Sequence, residues 1–187
     1  MRGGDGRLQV FRSVPKGFLA ALILSCLTIL APPSAKDALA SGAQPWPNQS
    51  GDFRAMLTLI SEAELKEFDK PSDQSVDVHE LDRARHGDHV AIKLTFTGVA
   101  LTSDGSADVT YDFQIVPPGG SGELDDKGLA VLKGKVPDRW GIFDNRRAPL
   151  LQFDPDYPPG TYKVVVTVTD NVAHRTLSMS KEIELTK

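Results

Sequence analysis

From His89 onward, apolar and polar residues alternate in steps of two. Val90, Ile92, Leu94 and Phe96 fall on one side, and Ala91, Lys93 and Thr95 on the other. Successive side chains of a strand point to opposite faces, so this stretch is expected to be a half-buried strand with Lys93 on its open face. Val109, Tyr111, Phe113 and Ile115 alternate in the same way with Asp108, Thr110, Asp112 and Gln114. That run is bounded by a turn around Asp104-Gly105 and by Pro117-Pro118-Gly119-Gly120. The clearest alternation is the last. Tyr162, Val164, Val166 and Val168 are followed by a turn at Asp170–His174 and then by Leu177, Met179, Ile183 and Leu185, which together read as a hairpin. Weaker strand patterns lie at Leu129–Leu132 and Leu150–Phe153, and a rigid corner at Asp154–Gly160 follows the second.

Upstream, Phe53–Ile60 reads as a short strand. Ser61-Glu62-Ala63-Glu64 matches a capping box, and Leu65 and Phe68 continue it as a short helix stopped by Asp69-Lys70-Pro71. Residues 72–88 read as a polar loop, and 41–53 as a flexible lead-in containing Trp46. One alternating sheet leaves an apolar face in water, and a second sheet packed against it closes the core. The expectation is therefore an all-β fold: an antiparallel immunoglobulin-like β-sandwich of about seven strands over 89–187, preceded by the strand, short helix and loop of 54–88.

The run Pro158-Pro159-Gly160-Thr161-Tyr162-Lys163-Val164-Val165-Val166-Thr167-Val168-Thr169-Asp170 resembles the end of bacterial immunoglobulin-like domains of the polycystic-kidney-disease and cadherin-like types. The resemblance is concentrated in 154–185. It implies that Gly160 turns the chain and that Tyr162 forms a tyrosine corner, its hydroxyl returning to nearby backbone. The family's core disulfide, its strand tryptophan and its W-x-F-G-D-G run have no counterpart here. The resemblance therefore carries the fold and no functional residue.

The first 40 residues differ from the rest. Arg2, Arg7, Arg12 and Lys16 precede the apolar run Phe18–Leu30, which is shorter than the roughly 20 residues of a membrane-spanning helix. Ala38 and Ala40 supply the small residues that signal peptidase reads, so a cleavable signal peptide ending at Ala40 is expected, with a periplasmic or extracellular destination and no stable membrane span after cleavage. The only cysteine, Cys26, lies in that leader, so the mature chain would have no thiol, disulfide or thiolate metal site. The whole chain carries a formal charge of −4, and loss of the basic leader makes the remainder more acidic. Such a surface repels phosphate backbones, which argues against nucleic acid as a partner.

Candidate chemistry is sparse. No cofactor motif is present, and no serine stands in a G-x-S-x-G elbow. Arg139, Trp140, Phe143, Arg146 and Arg147 cluster in the longest loop. Trp and Arg favour interface hot spots, so these five are the candidate partner-binding residues, for an envelope protein or a surface ligand. Trp140 and Phe143 can equally cap the core. His79, His86 and His89, among several carboxylates, form an alternative metal-ligand set. The expectation is an exported, non-catalytic binding or scaffolding domain, with metal binding as the alternative, hydrolase chemistry third, and no enzymatic role.

Overall fold

A computed structural model describes residues 46–70, 76–120 and 124–187, together with the strand Arg7–Val10. The apolar run Phe18–Leu30, Cys26 and the expected cut after Ala40 lie outside the described residues, as do 41–45 of the lead-in and 72–75 of the loop. Among the described residues no helix is long and apolar enough to cross a membrane.

The chain is all-β with one short helix. In order, the strands are β1 (Arg7–Val10), β2 (Asn48–Ser50), β3 (Phe53–Ser61), β4 (Val76–His79), β5 (Arg83–Arg85), β6 (His89–Thr97), β7 (Ser106–Val116), β8 (Leu124–Lys135), β9 (Phe143–Asp144), β10 (Leu150–Gln152), β11 (Gly160–Asp170) and β12 (Arg175–Thr186). A 3-10 helix, Glu62–Asp69, follows β3, with the capping box of Ser61 and Glu64 in place. One sheet runs β10-β6-β3-β2 with β9 also on β6, and the other runs β5-β12-β11-β7-β8. β1 and β4 pair separately.

Inward side chains of both sheets meet in one core. Leu57, Leu59, Ile92, Leu94 and Phe96 come from the first sheet, and Val109, Val164, Val166, Val168 and Ile183 from the second. β7 and β11 alternate as their sequence implies, with every second residue buried. Burying apolar surface at roughly 25 cal/mol per Å2 is the main force holding the sheets together.

Three expectations need correction. Pairing is not wholly antiparallel, because β5 runs parallel to β12 through Glu184↔Arg83 and Leu185↔Ala84. The polar loop 72–88 contains β4 and β5: Val76, Val78 and Ala84 bury their side chains, and that drives strand formation where charge dominates the composition. The lead-in 41–53 already contains β2, which forms a hairpin with β3.

β6 departs furthest from its pattern. It is buried on both faces, with Ala91, Lys93, Thr95 and Thr97 as enclosed as Val90 and Phe96. Its second face meets a smaller cluster of Ile60, Phe68, Val76, Val78 and Ala91, built by the 3-10 helix and β4.

The ends of the core are closed by backbone contacts. At Gly98, φ is +71° and a Cβ would stand 2.0 Å from the Asp52 carbonyl oxygen, so the β2–β3 turn and the end of β6 touch through main chain alone. The Tyr162 hydroxyl donates to the Pro158 carbonyl at 2.9 Å, and Gly160 opens β11 at φ +139° against Pro118. The Asp170 carboxylate is fully buried and accepts from the amides of Ala100, Val172 and Ala173, which ties the β6–β7 connection to the final hairpin. Gly98→Ala is expected to lower unfolding free energy by about 3 kcal/mol or more, from strain and overlap together, read as a shift of the urea midpoint at unchanged slope.

Candidate functional site

β9 and β10 share one edge of β6, at opposite ends of it: Thr95↔Asp144 and Phe96↔Phe143 for β9, Leu150↔Ala91 to Gln152↔His89 for β10. Between them the chain leaves the edge, and the exposed ladder groups of β6 need other partners. Asn145 supplies them. Its backbone amide donates to the Leu94 carbonyl at 3.1 Å, its Oδ1 accepts from Leu94 N at 2.9 Å, and its Nδ2 donates to the Ile92 carbonyl at 2.9 Å. Ile92 N donates onward to the Pro149 carbonyl. A side-chain amide thus stands in for a stretch of strand, and Arg146 and Arg147 are carried out to the surface.

The segment 142–147 forms one wall of a cleft of about 500 Å3. The opposite wall is Ala130, Val131 and Leu132 of β8, and Tyr111 of β7 lies between. The ladder between β7 and β8 slips at Val109/Thr110, where Leu132 and Ala130 pair and Val131 does not. That bulge aims Val131 and Leu132 together at the cleft. Burial pushes the Tyr111 phenol above its ordinary pKa; a hydrogen bond with Asn145 works against this, and the nearby Asp126 charge adds to it. The phenol therefore stays protonated through the neutral range.

Asp144 closes the back of the segment. It accepts from Lys93 Nζ at 2.7 Å, and both side chains are largely out of water. Lys93 also lies over the Phe68 ring, 4.4 Å from its centroid. A second cavity of about 350 Å3, lined by Leu65, Phe68, Lys93, Asp144 and Arg146 among others, lies on that side. A charge taken out of water is tolerable only when paired, so the Lys93–Asp144 pair fixes β9 against β6.

Of the five candidate residues, the structure brings Phe143, Arg146 and Arg147 to the cleft. Phe143 also stacks on Phe96 with ring centroids 5.7 Å apart, so it is anchored in the core. Both guanidiniums are exposed, and neither forms an ion pair with a described residue. Arg139 and Trp140 are absent from the cleft lining. Arg139 pairs with Asp52 at 3.0 Å and lies over the Trp140 ring, while its carbonyl accepts from Gly98 and Val99. Trp140 remains 45% exposed beside the β2–β3 turn.

The three histidines do not converge. His79 Nδ1 lies 3.0 Å from Glu64, His89 Nδ1 2.7 Å from Glu62, and His86 Nε2 3.0 Å from the Tyr157 carbonyl. Among the described residues no group of three or more His, Cys, Asp or Glu is placed to hold a metal ion, which corrects the alternative metal set. Two of these histidines fasten the 3-10 helix instead. Burial alone would raise the Glu64 pKa; bonds from the His79 amide and ring and from Ser61 outweigh it and hold the carboxyl below the ordinary 4.5.

No protein-family model matches this chain, and no curated protein does. Among solved structures it is similar to the alkylpurine DNA glycosylase AlkC of Pseudomonas fluorescens, solved bound to DNA containing an abasic site analog. That match has 14% identity over 73% of this chain and 31% of the glycosylase, with a TM-score of 0.40. It is also similar to a family 123 glycoside hydrolase from Clostridium perfringens, with 9% identity over 71% of this chain and 27% of the hydrolase and a TM-score of 0.36. The chain spans under a third of either protein. Both are enzymes, and on that finding the expectation of a non-catalytic binding or scaffolding domain, and of a chain that is not an enzyme, is withdrawn. The charge argument against nucleic acid is likewise carried no further, since the first of these proteins was solved on DNA.

Two outcomes are expected from the site's scaffolding. Asn145→Ala strands a buried donor and a buried acceptor of β6 and costs about 2–4 kcal/mol, measured by chemical denaturation. The Glu64 carboxylate contributes stability that is complete above pH 4.5 and is lost as pH falls through its lowered folded value. Glu64→Gln therefore flattens the acid limb of a plot of denaturation midpoint against pH.

Proposed function

We propose that this chain takes up an anionic ligand with an apolar body in the cleft between β8 and segment 142–147. The observation that carries the reading is the pair Arg146–Arg147: two adjacent guanidiniums, without acidic partners among the described residues, on the wall of a cleft of about 500 Å3. In a chain with more acids than bases, unpaired arginines are the exception. Guanidinium forks suit carboxylate and phosphate groups. Val131, Leu132, Ile142 and Phe143 offer the apolar surface that a ligand's body needs, and the protonated Tyr111 phenol adds a polar group of fixed direction. The class that fits is an aryl or alkyl carboxylate or phosphate monoester.

We propose further that the two sheets are arranged as an immunoglobulin-type sandwich. The bond from Tyr162 at the start of β11 to a carbonyl four residues upstream supports this, as does the common core that both sheets fill.

Calorimetric titration of the full chain with phenyl phosphate and with 2-naphthoate is expected to show binding, and the neutral 2-naphthalenemethanol none. Arg146→Ala and Arg147→Ala are each expected to weaken binding about fivefold to tenfold, with a further loss in added salt. Analysis of the same mixtures for phenol and inorganic phosphate separates retention of the ligand from its turnover. Equal affinity for the charged and neutral probes would remove the reading.

A further inference from the structure

β8 is the outer strand of its sheet. β7 covers one edge, and no described strand pairs with the other. An edge of twelve residues presents a row of unpaired amides and carbonyls, and such edges are usually covered or defended.

Charge divides this edge in two. Asp125 and Asp126 stand near its start and Lys133 and Lys135 near its end, with Gly128-Leu129-Ala130-Val131-Leu132 between them. Both slips of the ladder against β7 fall within the middle stretch, so the acidic start and the basic end keep regular strand geometry. Lysines on an edge ordinarily repel an incoming strand. One orientation of one partner escapes that repulsion. A second β8 running antiparallel sets the acidic start of each copy beside the basic end of the other.

We propose that the chain forms a weak two-fold homodimer by antiparallel addition of β8 to β8 of a second copy, centred near Ala130. With that centre, Asp125 lies opposite Lys135 of the partner subunit, and the symmetry makes the pair twice. Both residues belong to the same face of the sheet: Asp125 is opposite Gln114 and Lys135 opposite Ser106, and those two β7 residues share the outward side. Directly opposed residues of antiparallel strands also share a face, so the charges can meet. At the centre, the exposed Ala130 and the half-buried Leu129 and Val131 meet their own copies. Such an interface falls below about 1,200 Å2, which places it in the weak class. The inference stands apart from the ligand reading, since it uses the outer edge of β8 and neither arginine.

Sedimentation equilibrium of the full chain, from about 10 μM to about 1 mM, tests it. A reversible monomer–dimer equilibrium is expected. Asp125→Lys and Lys135→Asp should each weaken association at least tenfold, and the two reversals combined should restore it. Association through any other surface would be indifferent to the swap. A wild-type chain that stays monomeric over this range overturns the proposal. So does a combined variant that fails to recover while its circular dichroism matches that of the wild type.

Discussion

A strand enclosed on both faces cannot leave any of its polar groups to water, and β6 is such a strand. Its inner face contributes Ile92, Leu94 and Phe96 to the main core, and its outer face holds Ala91 and Lys93 against the 3-10 helix. The demand that every amide, carbonyl and charge on it find a partner accounts for much of the surrounding architecture. β3 satisfies one edge continuously. The other edge is satisfied in three pieces, by β9, by Asn145 and by β10, and the Lys93 charge is met by Asp144. The loop that bears the two arginines exists in its present form because those pieces must all be supplied from a single crossing of the chain.

The same demand decided what could be read in the sequence. β7, β11 and β12 face the core on one side only, so period-two alternation located them and their hairpin correctly. β6 shows alternation too, yet its second face is buried. Lys93 was therefore placed in water when it is 2% exposed. The hint lay in its neighbours, because Ala91, Thr95 and Thr97 are small or uncharged, as a covered face requires. β4 and β5 were hidden by charged flanks, and a three-residue parallel strand leaves no periodic trace at all.

The site was legible in part. Composition singled out the loop and its arginines, and the structure divides that group between a cleft and the distant β2–β3 turn. Asn145, on which the loop's position depends, carries no signal in the sequence, since its role arises only where two short strands share one edge. Val131 and Leu132 read as part of a weak strand; the bulge that turns both toward the cleft depends on register, which only pairing with β7 defines. The histidines failed as a set for a related reason. Proximity along the chain is not proximity in space once β4, the turn at His86 and β6 diverge.

Asn145 also has a bearing on how this region can change over time. Because an amide side chain, and not a run of paired backbone, seals the gap in the β6 ladder, residues 146–149 are freed from any obligation to the sheet beyond the one carbonyl of Pro149. Their length and chemistry can drift while the core stays intact. A descendant of this chain can thus acquire a new recognition surface at that spot by insertion or exchange, so long as the asparagine is kept.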